Sequence, residues 1–246
     1  MRKIFILIAG LLLLIGCQRD ETTGSPKARI AIINMALSSD SVNLLLDDIP
    51  LLTTPVAFGE ISVSSQGNGG YIETAPGIRN STWVVGGEAV SLNKFVSWNA
   101  GAYYTLVHYD SVDAQQVAQL LIVTDAPSQN DSVGRVRFIN CYRGGDSISL
   151  WMHRINALDT LGIDTAIQRL VNKKPFVGRD KSVSGSFNFS LRPGNWQMMM
   201  KDRFYNTLFM DTVTIKNNEL YSILAVGQPG GTGDLKPQMK LILQMK

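Results

Sequence analysis

Apolar residues enter this chain in two rhythms. Ile4 to Ile15 is an unbroken run of 12 apolar or small residues. That is short of the ~18 or more that span a bilayer but inside the ~7–15 of a signal-peptide core. From residue 28 onward the apolar positions fall in short stretches of period two. Ile30 and Ile32 alternate in this way, as do Val136 and Phe138, and β-branched or aromatic residues recur in Val84-Val85, Tyr103–Tyr109, Val213–Ile215 and Leu220–Val226. Glycine turns separate the stretches at Gly67–Gly70, Gly86-Gly87, Gly144-Gly145 and Gly230-Gly231. No segment carries a long 3.6-residue stripe with caps. The pattern predicts an all-β chain of antiparallel sandwiches, Ig-like or transthyretin-like, with roughly seven strands each.

The strand pattern is written twice. Arg29–Asn34 matches Arg135–Asn140, and Asp40–Leu44 matches Asp146–Leu150, both at an offset of 106. Pro76-Gly77 falls on Pro193-Gly194, and Tyr104–Leu106 on Tyr221–Ile223, at an offset of 117. The second copy gains its extra residues in Arg154–Asn172, which reads as a long hairpin or a short helix. The expected organisation is a signal peptide over 1–16, a lipidated tether over 17–27, one sandwich domain over 28–125, a linker over 126–133 and a second sandwich domain over 134–246.

The leader ends Leu13-Leu14-Ile15-Gly16-Cys17 after the basic pair Arg2-Lys3, which resembles a bacterial lipobox. The resemblance implies cleavage before Cys17 and acylation of its thiol, palmitate being the expected chain, with the lipid bilayer as a partner. Gln18–Glu21 is similar to the export signal that sends lipoproteins of the Bacteroidota to the outer face of the outer membrane. A lipid-anchored, surface-exposed position follows as the expectation, with the periplasmic face as the alternative.

Charged residues make up 17% of the chain and the formal net charge is +3. Loss of the leader removes Arg2 and Lys3 and brings the chain near neutrality, which speaks against nucleic acid as a partner. The one thiol then left is Cys141, in an apolar run where a free cysteine behaves as a small hydrophobe.

An opening strand ending in Asn34 or Asn140, an Asp-Ser turn into a second strand, and later a Pro-Gly turn into another strand together resemble the bacterial domain of unknown function 4397 family. Nearly all of the chain after residue 27 falls under the resemblance. It implies secreted or lipid-anchored β-sandwich modules, often in tandem, and no particular activity.

Reactive constellations are sparse. No Gly-x-Ser-x-Gly elbow occurs, and Gly67–Gly70 lacks the lysine and helix of a phosphate loop. His108 and His153 have no second histidine at ligand spacing and read as half-exposed strand residues, not a metal site. Asp47-Asp48 and Asp110 with Asp113 read as turn acids, without the spacing of a calcium loop. No catalytic residue, metal or cofactor is assigned.

Trp83 and Trp196 are the candidates for stacking on a ligand ring, against core packing, while Trp98 and Trp151 align with Ile215 and Leu45 as ordinary strand positions. Met198–Met200 cannot all face one side of a strand. Asp followed by Ser or Thr occurs seven times, where composition predicts about two. The hydroxyls are Ser41, Ser111, Ser132, Ser147, Thr160, Thr165 and Thr212. The pattern resembles the O-glycosylation motif of the Bacteroidota; the alternative is turn chemistry before strands. The expected function is a non-catalytic, membrane-anchored surface lipoprotein presenting tandem interaction modules to a protein or glycan. The alternative is a glycan-binding accessory lipoprotein of an outer-membrane uptake system.

Overall fold

The computed structural model describes residues 26–245 apart from 38–40, 64–68, 111–118, 129, 131, 145–146, 156–166, 180–182 and 184. These residues are all-β, with one 3-10 turn at Gly233–Leu235. The N-terminal half contains β1 (Ala28–Asn34), β2 (Ser41–Leu46), β3 (Ile49–Pro50), β4 (Val56–Ala57), β5 (Ile72–Thr74), β6 (Gly77–Val85), β7 (Glu88–Trp98), β8 (Tyr103–Asp110) and β9 (Gln119–Asp125). They form one sheet of order β5-β1-β8-β9 and another of order β3-β2-β6-β7, with β4 beside β2. The C-terminal half contains β10 (Gly134–Asn140), β11 (Ile148–Arg154), β12 (Ile167–Lys174), β13 (Phe189–Leu191), β14 (Gly194–Lys201), β15 (Thr207–Ile215), β16 (Leu220–Val226) and β17 (Gln238–Met245). Its sheets run β13-β10-β16-β17 and β12-β11-β14-β15.

The register carries the repeat strand for strand. Gly77 pairs with Trp98 as Gly194 pairs with Ile215, and Leu45 pairs with Thr82 as Trp151 pairs with Met199. Gly77 and Gly194 open their strands at φ 131° and 133°, a conformation that disfavours any side chain. The sheets are not purely antiparallel, as the turn spacing had suggested. β1 pairs parallel with β8, and β10 with β16. After β1 the chain crosses to the second sheet and returns to the first only later, and such a crossover is what parallel pairing requires. Of the insertion in the second copy, the described part is strand: β12 pairs antiparallel with β11.

Three apolar layers hold the four sheets in a stack. Ile30, Ile32, Leu106, Leu44, Trp83 and Trp98 fill the N-terminal sandwich, and Val136, Ile148, Leu150, Trp196, Met198 and Ile223 the C-terminal one. The third layer lies between the halves, where Ile33, Val107, Leu121 and Val123 meet Ile139, Cys141, Leu224 and Ile242. The sheets that contain β1 and β10 are therefore covered on both faces. This explains why Leu220–Val226 is buried at every position and is apolar on both alternates except at Ser222. Cys141 belongs to this layer, and burial pushes its thiol pKa up.

A polar knot crosses the same interface. Arg137 of β10 is ion-paired with Asp125 of β9, and both side chains are almost fully buried. Arg137 also donates to Ser222 Oγ at 2.8 Å, Thr105 Oγ1 at 2.8 Å and Gln244 Oε1 at 2.7 Å. Tyr71 donates to Asp125 at 2.7 Å, and burial followed by the Asp125 charge raises the pKa of its phenol. The repeat offsets make Thr105 equivalent to Ser222, whereas Ala31 stands at the position equivalent to Arg137. One half thus supplies the cation and the other the anion.

The stack has two distinguishable ends. Ala28 and Gly134 start β1 and β10 at one end. At the other, Asp110 closes β8 and pairs with Arg143 at 3.1 Å, just after β10. The chain turns there into β11, and Lys201 pairs beside Ser149 near the start of that strand. The 202–206 loop therefore lies at the end remote from Ala28.

Candidate functional site

Alternation fixes which side chains the outermost C-terminal sheet shows to solvent. Ile148, Leu150 and Met152 of β11 point into the sandwich, as do Met198 and Met200 of β14. Their alternates, Trp151 and Met199, must point outward. The register then lays Arg169, Trp151, Met199 and Met210 in a row across β12, β11, β14 and β15. Arg169 lies over the Trp151 ring at 5.7 Å and Lys201 at 5.5 Å, both to the centroid. Tyr205 meets the same indole edge-on at 6.5 Å, and Lys173 sits 5.2 Å from the Tyr205 ring. Among the described residues Arg169, Lys173 and Lys201 form no salt bridge. The indole N–H of Trp151 is covered and has no acceptor.

The loop that presents Tyr205 is built around one carboxylate. Asp202 accepts from the backbone N–H of Phe204 at 2.8 Å and of Asn206 at 2.9 Å, and from the Asn206 amide at 2.9 Å. Burial works against the charge, but these hydrogen bonds hold the Asp202 carboxyl below its ordinary range. Tyr205 takes φ 67° and Lys173 φ 49°. Among the described residues the other non-glycine ones in that region are Asp47, Asp48 and Asn218, whose short polar side chains tolerate it. For a lysine and a tyrosine it costs about 1–2 kcal/mol each, and these two strained residues touch one another. The Tyr205 hydroxyl bonds Asn172 at 3.1 Å and the Lys173 N–H bonds Ser149 Oγ at 3.0 Å, which holds both in place. Phe204 beyond them is 68% exposed and Met210 55%.

The residues singled out in the sequence are placed differently. Trp83 is 0% and Trp196 2% exposed, each inside its own sandwich, so neither offers a ring face to a ligand. The core reading of these two prevails, because both sit on the inward alternate of their strands. His108 is also fully buried, contrary to the half-exposed expectation. It shares the inward face of β8 with Tyr104 and Leu106, lies 5.9 Å from the Trp83 ring, and neither of its nitrogens has a partner. His153 is partly exposed. Asp47 is paired with Arg79, and Asp110 with Arg143, as turn and strand-end acids. Ser132 and Thr212 are exposed, and Ser41 and Ser147 are half-buried. Cys17, Ser111, Thr160, Thr165 and Asp113 lie outside the described residues. Among the described residues no three His, Cys, Asp or Glu side chains gather as a metal site, and no helix is long and apolar enough to cross a membrane.

The outward position of Trp151 is readable from the alternation of its strand. It stands between Leu150 and Met152, and so on the alternate that faces away from the sandwich core, where it is half-buried. Its equivalent Leu45 lacks the flanking cations. No family model matches this chain, and no curated protein matches it.

Proposed function

We propose that this chain is a lipoprotein anchored to the outer membrane through acylated Cys17, with two tandem Ig-like domains, 28–125 and 134–246, serving as a non-catalytic binding platform at the cell surface. The observation that carries the binding role is the solvent face around Trp151. Among the described residues, three cations without carboxylate partners stand against two aromatic rings, on backbone strained at Lys173 and Tyr205. Strain and unbalanced charge of this kind cost stability and persist where they serve a ligand. The buried interface supports the same reading, since it locks the two sandwiches together and gives that face a fixed direction. The tether places Ala28 toward the membrane and the 202–206 loop away from it.

Labelling of growing cells with palmitate tests the anchor. The expected result is label on the wild-type chain, none on Cys17→Ser, and release of the variant from the membrane fraction. External protease on intact cells is expected to degrade the wild-type chain. Label retained on Cys17→Ser would overturn the anchor, and protection from protease would move the protein to the periplasmic face.

A further inference from the structure

We propose that the Trp151 face binds an acidic glycan, with its carboxylate or sulfate groups held by Arg169, Lys173 and Lys201 and a sugar ring set against Tyr205 and Phe204. The proposal deepens the reading of this face as a binding surface and rests on it.

Charge is the first argument. The register puts Arg169 and Lys201 on this face with His153, Lys173 lies against Tyr205 beside them, and the strands β11, β12 and β14 carry no acidic residue. A sheet face so biased calls for an anion, because like charges held together repel. Preorganisation is the second. Arg169 and Lys201 both rest on one indole, so they stand no more than about 11 Å apart on a ring that cannot move freely. Less side-chain freedom is then lost when an anion binds.

The exposed aromatic edges are the third argument. Tyr205 is 39% exposed and Phe204 68%, beside the cations and not over the core. Rings placed in this way take the apolar face of a saccharide while the cations take its acids. A membrane surface fits less well, since Lys201 and the 202–206 loop lie at the end of the stack remote from Ala28, where the tether joins. Nucleic acid fits less well because the rest of the chain is close to neutral and the cationic area is small.

The test uses full-length protein in mild detergent. Binding is measured to polygalacturonate, heparin, dextran, poly-glutamate, poly-dT and phosphatidylglycerol nanodiscs. The expectation is that polygalacturonate or heparin binds at least about tenfold more tightly than dextran and more tightly than the other probes, and that added salt weakens it. Joint Arg169→Glu and Lys201→Glu replacement is expected to weaken that binding about tenfold or more with melting unchanged. Trp151→Leu, which installs the residue of the equivalent position, should weaken it about fivefold. If Trp151→Leu lowers the melting temperature, the milder pair Arg169→Gln and Lys201→Gln carries the test. Binding indifferent to every one of these substitutions would overturn both the glycan proposal and the reading of this face as a binding surface. Equal binding of dextran, or tighter binding of poly-glutamate, poly-dT or nanodiscs that the substitutions abolish, would overturn the glycan proposal and leave the binding surface standing.

Discussion

Asp125→Ala is expected to lower the free energy of unfolding by about 3–5 kcal/mol, measured by urea denaturation at neutral pH. The carboxylate lost is the partner of an Arg137 guanidinium buried between the two sandwiches. Removing it leaves a cation out of water with only Ser222, Thr105 and Gln244 to solvate it, and strips Tyr71 and Thr105 of their acceptor. The cost should come from the uncompensated charge and not from the worth of the pair. Joint replacement, Asp125→Leu with Arg137→Met, should therefore recover most of the loss, because a buried pair exchanged for apolar groups of similar volume is often neutral or better. A single-variant cost under about 1 kcal/mol would show that water reaches the knot and that the halves are not sealed against each other. A double variant as weak as the single would show instead that the polar contacts themselves hold the interface. The Arg137 guanidinium also lies 4.6 Å over the Phe187 ring, which the methionine would have to cover.

The same arginine marks where the reading of sequence alone stopped. Period two set Val136 and Phe138 toward one side of β10 and Arg135 and Arg137 toward the other, and the structure keeps that division. A lone sandwich would give the second side to water. What the spacing does not show is that the other copy covers it. The trace available was the apolar character of Leu220–Val226 on both alternates, which only a sheet covered on both faces needs. The offsets between copies were legible, and β1, β5, β8 and the start of the β6/β7 pair reproduce them in the matching strands of the second half. The candidate site was legible in half. Alternation points Trp151 outward, but its two cations come from β12, in the divergent part of the second copy, and from the far end of β14. No local pattern brings them together. Polarity also misled at His108, where alternation with Tyr104 and Leu106 pointed inward and was the better guide.

That histidine makes stability depend on pH in a way that can be isolated. Burial lowers its pKa from 6.5 to about 4, since charging the ring would put a cation beside Trp83 with no acceptor in reach. Well above pH 6.5 neither the folded nor the unfolded chain protonates it, and its contribution is constant. As pH falls from 6.5 toward 4 the unfolded chain takes up a proton that the folded chain refuses, so stability falls. Below about pH 4 both states carry the proton and the loss levels off, at about 3 kcal/mol in all. Carboxylates titrate over part of the same window, so the wild-type profile alone would not separate them. His108→Leu removes the imidazole and leaves the acids in place. The difference in unfolding free energy between wild type and variant should shift by about 2 kcal/mol between pH 7 and pH 4.5, in favour of the variant at the acid end. At pH 7 the variant should be no less stable, because two buried nitrogens without partners are replaced by methyl groups that suit the surrounding core. A difference that stays flat across that range would mean that the imidazole is charged in the fold or reached by water. Either result would remove His108 from the sealed core in which Leu44, Trp83 and Leu106 are also fully buried.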